Sequence, residues 1–181
     1  MYFRLTAKLN RNAGLIMKAG NVSQTLLNGR SLELEELVLP WPFSLQHNRP
    51  DPLQMADFYT SPKLMSHRLI ATLGSAGVDN LQLFDAEIVN KKTGEKIGGY
   101  QVVNILGLVS AADQSASKSR PLAHVQFFET LVLDEARARG QLMFRLAESL
   151  NDIIIAEKVA KGIVDGGFVD VVVEPLSPTA K

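Results

Sequence analysis

The residues able to do chemistry are few and scattered. The three histidines, His47, His67 and His124, lie far apart with no metal-ligand spacing between any two of them. Such isolated histidines are most often surface groups or internally bonded ones, and neither catalysis nor metal binding is assigned to them. Cysteine is absent, so thiolate nucleophiles, thiolate metal sites and disulfides are excluded. Gly74-Ser75-Ala76-Gly77 looks like a nucleophile elbow in composition only. The elbow needs G-x-S-x-G on a strand-to-helix turn, and this serine falls at a helix end. Gly94 and Gly98-Gly99 lack the following helix that a phosphate or dinucleotide loop requires, and a hairpin explains them better. No catalytic residue, metal ligand or cofactor is assigned, and the chain reads as a non-enzyme.

Recognition residues are easier to find. Trp41-Pro42-Phe43 places two large aromatics in a proline-bearing loop, where a core anchor and an interface hot spot are both open readings. Glu33, Glu35 and Glu36 form an acidic cluster that could meet a basic partner. Its plainer reading is a solvated strand edge that discourages pairing. With His47, these residues define the expected partner surface: Glu33, Glu35, Glu36, Trp41, Phe43 and His47. A rival reading, a ligand-binding or enzymatic domain with a polar pocket between helix and sheet, would need His67, Asp79 or Asp113 to converge around a cavity.

The bulk numbers narrow the class. A chain of 181 residues suits one domain with a sizeable core. Its 19 Lys and Arg balance 19 Asp and Glu, which argues against binding nucleic acid or a membrane surface by general electrostatic attraction. The N-terminal MYFRLTAKLN is too polar for a signal-peptide core, and no run is long enough to span a membrane, so a cytoplasmic location is expected.

The elements that must position any site follow from periodicity. Residues 100–113, YQVVNILGLVSAAD, are apolar from Val102 to Val109 except at Asn104 and Gly107, which predicts a central strand buried on both faces. Residues 2–9 alternate and predict a strand with one buried face, and Leu15 to Met17 a short second strand. Residues 32–39 predict a strand with a bulge at Glu35-Glu36, and the four prolines between 40 and 52 predict an irregular loop. Ser66 as N-cap, Leu69, Ile70, Leu73 and Ala76 at helical spacing, and Gly77 as terminator predict a helix over 66–76. Ser61-Pro62 offers an earlier start.

After that helix, Leu81 to Val89 reads as a strand, KKTGEKIGG as a hairpin and residues 113–124 as a surface loop. Phe127 to Leu133 and Leu142 to Leu146 read as strands joined by a helical turn in DEARARG, and Ile153 to Ile155 is a short apolar run. A second helix over 156–165 ends at Gly166-Gly167 before a strand from Val169 to Val173, and a tail follows from Glu174. The two helix-strand units align: Leu69 with Val159, Leu73 with Ile163, Gly77 with Gly167, Leu81 with Val171, Leu83 with Val173 and Arg68 with Lys158. A structural repeat and chance apolar matching both fit that alignment.

The order of these segments carries a resemblance. MSHRLIATLGSAGVDNLQLFDAEI at 65–88, YQVVNILGLVSAAD at 100–113, FFETLVLDEARARGQLMFRL at 127–146 and the helix and strand at 154–173 resemble a family of bacterial immunity proteins from polymorphic toxin systems, typified by myxobacterial members. The resemblance covers residues 57–173, and residues 1–56 match only at Gly29-Arg30-Ser31-Leu32 and the Trp41–Phe43 loop. It implies a cytoplasmic protein that binds and neutralises a cognate toxin domain, nuclease-like in some family neighbours, without catalysis or cofactor. The expected fold is a single α+β domain over 1–181: N-terminal strands and loops (1–56), a family-like core (57–173) and a tail (174–181). A mostly antiparallel sheet would hold two principal helices. A third reading, rival to both others, is a structural or assembly domain whose edge strands pair to make a homodimer.

Overall fold

The computed structural model describes residues 1–8, 15–18, 26–33, 37, 39–46, 54–122 and 125–178. Over them the chain is mixed α and β, mostly strand, with most strand pairs antiparallel. The larger sheet has the spatial order β2 (Leu15–Lys18), β3 (Trp41–Gln46), β6 (Leu81–Asn90), β8 (Tyr100–Ile105), β5 (Leu64–Ser66), β4 (Phe58–Tyr59), with β7 (Lys96–Ile97) paired to β6. The smaller has the order β15 (Val171–Pro175), β1 (Tyr2–Ala7), β14 (Ser149–Ala156), β13 (Met143–Leu146), β9 (Leu108–Val109). Two short ribbons complete it: β10 (Lys118–Leu122) with β11 (Val125–Thr130), and β12 (Val132–Leu133) with β16 (Ser177–Pro178).

Helices α1 (His67–Ser75) and α3 (Glu157–Asp165) organise the two sheets, and α2 (Glu135–Ala138) is the single turn in DEARARG. β5 runs directly into α1, which returns the chain to β6; β8 lies between β5 and β6, antiparallel to both. β14 runs directly into α3, which returns the chain to β15; β1 lies between β14 and β15, antiparallel to both. Leu69 and Leu73, like Val159 and Ile163, stand four residues apart and so share one helix face, which is buried. Ser66 Oγ accepts the Leu69 N–H at 3.1 Å, closing one open donor of the first turn. At the other end Gly77 takes φ +94°, its N–H donating to Gly74 O (2.8 Å) and that of Val78 to Leu73 O (3.0 Å). The earlier start at Ser61-Pro62 is not used, because Leu64–Ser66 extends as β5 with all three residues buried.

Among the described residues the core has three parts. The helices meet Leu5, Met65, Val103, Ile105, Ile153 and Ile155 from both sheets. The other face of the smaller sheet buries Tyr2, Phe128, Phe144, Ile154 and Leu176. The other face of the larger sheet buries Trp41, Phe43, Leu45, Phe84, Ile88 and Val102. Among the described residues no helix is long and apolar enough to cross a membrane.

Several expectations are corrected. The apolar run of 102–109 is two strands in different sheets: β8 is buried from Val102 to Ile105, but Gly107 at φ +109° redirects the chain and Leu108 is 42% exposed. β1 is covered on both faces, since Tyr2 joins one core cluster and Leu5 another. Residues 31–33 and 37 form no strand. Instead the Gln82 amide bonds both backbone groups of Leu32, accepting its N–H at 2.9 Å and donating to its carbonyl at 2.7 Å. The bulge expected at Glu35-Glu36 lies outside the described residues.

Trp41–Gln46 is a strand despite Pro42. It pairs with β6 on one side, and the β2 ladder on the other reaches only Phe43, so Pro42 lies beyond the β2 ladder, at a position where its missing N–H costs no β2 bond. Part of the polar segment 113–124 is β10. The tail is also structured: β15 continues to Pro175, Leu176 is buried, and β16 pairs in parallel with β12.

Candidate functional site

Of the expected partner surface, only Glu33, Trp41 and Phe43 lie among the described residues. Trp41 and Phe43 are 6% and 3% exposed because residues 41, 43 and 45 share one face of β3, and the Trp41 ring lies 5.0 Å from that of Phe84. Both are core residues, which removes them from any partner surface. Glu33 is exposed, and Glu35, Glu36 and His47 lie outside the described residues. Nor do His67, Asp79 and Asp113 converge. His67 and Asp79 are exposed near opposite ends of α1, while Asp113 Oδ1 closes a turn by accepting from Ser115 Oγ and from the Ser115 and Ala116 N–H groups. Those bonds, the Ser115 hydroxyl first, hold the Asp113 carboxyl below its ordinary range.

Polar groups do converge where the α1 unit meets the α3 unit. Asp57, just before β4, takes the Ser66 hydroxyl on Oδ1 at 2.5 Å and Arg68 Nη2 on Oδ2 at 2.7 Å. Arg68 also donates to Gly166 O at 3.2 Å, and its guanidinium carbon lies 4.0 Å from the Phe168 ring centroid. Asp170 accepts the Asp57 N–H at 2.6 Å through Oδ2, while its Oδ1 is buried without a partner among the described residues. Burial raises the Asp170 carboxyl above its usual range, and raises the Tyr59 and Tyr100 phenols beside it. Ser66 Oγ is occupied twice, donating to Asp57 and accepting from Leu69, so it is not poised as a nucleophile. The arrangement acts as a clasp: an ion pair under an aromatic ring, joining the turn after α3 to the start of α1.

A second polar cluster lies inside. Arg145 is fully buried on β13, with Nη1 donating to Leu150 O at 3.2 Å and Nε and Nη2 unpartnered among the described residues. Burial lowers it to about 10. Lys63, 5% exposed, is lowered to about 7, by burial first and by the Arg145 charge second. Both escaped the sequence reading, although Arg145 interrupting the apolar MFRL was a visible signal. Asp57 and Asp170 escaped it because each is an ordinary loop aspartate until the fold brings them together. Among the described residues, no three His, Asp or Glu gather in a way that could hold a metal ion. No family model matches the chain, and no curated protein sequence matches it either.

Proposed function

We propose that this chain is an immunity protein that binds and neutralises a cognate toxin domain in the cytoplasm without catalysing a reaction. The reading starts from the resemblance of residues 57–173, which here build α1, β6, β8, β13, β14, α3 and β15, the scaffold itself. The observation that carries it is on the β10–β11 ribbon. Phe128 is buried beneath it, whereas Phe127 is 45% exposed on the outer face with the Arg120 guanidinium carbon 5.0 Å from its ring centroid. Exposed phenylalanine and arginine are both enriched at protein interfaces relative to the rest of the surface. We also propose that the α1 and α3 units are copies of one structural repeat.

The experiment is co-expression with the toxin-like product of the adjacent gene, scored for host survival and for co-purification. Survival with a stoichiometric complex is expected. Survival without a complex would favour the rival reading, an α+β domain with ligand-binding or enzymatic function, acting on the toxin or its product.

A further inference from the structure

A cavity of about 480 Å³ lies at the edge of the smaller sheet, lined by Leu108, Val109, Ser110, Arg137, Arg139 and Gln141. No acid lines it, and the two acids bonded to its lining residues are already committed. Asp134 caps α2, accepting from the Ala136 and Arg137 N–H groups, and pairs with Arg137 Nε at 3.0 Å. Glu148, next to Ser110, accepts the Ser110 hydroxyl at 2.7 Å and the Ala112 N–H at 3.3 Å. The cations are less fully used: the terminal nitrogens of Arg137 and the whole Arg139 guanidinium have no partner among the described residues.

Arg139 is unusual in its backbone as well. It holds φ +51°, the one positive φ among the described non-glycine residues, directly before Gly140 at φ +72°. A left-handed conformation costs a residue with a Cβ about 1–2 kcal/mol, and Gly would avoid that cost. An arginine kept under backbone strain beside a cavity and an exposed leucine points to a use for its charge.

We propose that this cavity receives an acidic segment of the partner protein. One carboxylate pairs with Arg139 and the free edge of Arg137, and a neighbouring apolar side chain packs on Leu108. The planar guanidinium suits that task because it binds a carboxylate through two parallel hydrogen bonds. This inference rests on the toxin-binding reading and adds a contact to the one proposed at Phe127 and Arg120. Gln141 supplies a side-chain amide for the segment's backbone.

The test measures dissociation constants between the full chain and the toxin domain encoded by the adjacent gene, by calorimetry at two salt concentrations. Arg139→Glu and Leu108→Asp should each weaken binding about tenfold or more. The wild-type affinity should fall with salt, and fall less steeply in Arg139→Glu. Arg139→Gly should raise the melting temperature while weakening binding, which separates the charge from its strain. If the wild type binds and all three variants bind equally well, the cavity is not the docking site and the immunity reading stands. If the wild type neither binds nor protects against an active toxin, that reading falls and the docking proposal falls with it.

Discussion

The α1 and α3 units place the same elements in the same register with different side chains. Leu64 faces Val102 where Ile154 faces Arg4, and Leu83 faces Val103 where Val173 faces Leu5. The flanking bonds correspond as well: His67 N–H to Gly99 O and Glu157 N–H to Met1 O at the helix starts, then Leu106 N–H to Asn80 O and Lys8 N–H to Asp170 O after the helices. Yet α1 is capped by Ser66, whereas Ala156 gives α3 no side-chain cap and Glu157 supplies an acid to its first turn instead. Arg68 is pinned by Asp57 and Phe168, while its counterpart Lys158 has no ion pair among the described residues. Lys63 stands where the other unit has Ile153. What the units share is apolar spacing and a left-handed glycine; caps and ion pairs are exchangeable local solutions.

That comparison can be broken at its shared part. Leu73→Ala and Ile163→Ala remove side chains that are 0% and 1% exposed, and each should cost about 2–5 kcal/mol. Urea denaturation checks this, and a large loss from one with none from the other would end the equivalence. Asp57→Ala sharpens the difference, because it leaves the Ser66 hydroxyl without its acceptor and removes the ion pair of Arg68, and it should cost about 1–3 kcal/mol. Lys158→Ala should change stability by less than about 0.5 kcal/mol.

The pH dependence isolates Lys63. Its native value, about 7, lies below its unfolded one, so above pH 7 the unfolded chain holds the proton more firmly. The Lys63 contribution to stability should therefore rise from about pH 7 to about pH 10. Lys63→Ile, which copies the other unit, should remove that rise and be the more stable protein below pH 7. Equal pH profiles for the two proteins would show that Lys63 keeps its charge in water.

Effects smaller than those of the core substitutions are expected at the helix ends. Ser66→Ala should lower stability by about 1–2 kcal/mol, and Ala156→Ser should raise it by about 0.5–1 kcal/mol. Gly77→Ala and Gly167→Ala both place a Cβ at positive φ, at a cost of about 1–2 kcal/mol. Gly77→Ala should cost more, since its Cβ would lie 3.3 Å from Leu142 Cδ1 and that of residue 167 meets nothing within 4 Å. Thermal melts of the two variants decide it.

The sequence by itself determined both principal helices with their ends, β6, the hairpin into β8, the turn in DEARARG and the α+β class. The helices rest on local causes: 3.6-residue spacing, a capping hydroxyl in α1, and glycine in a conformation that side chains resist. It could not show that Val102–Ile105 and Leu108–Val109 enter different sheets, because an apolar run looks the same whichever neighbours bury it. Nor could it show that Trp41 and Phe43 turn into the core, since Pro42 marks a loop unless β2 stops short of it. The Asp57–Arg68 clasp and the Arg137–Arg139 cavity were decided by tertiary structure alone. Loop charges acquire partners only when distant segments meet, and separation along the chain holds no record of that meeting.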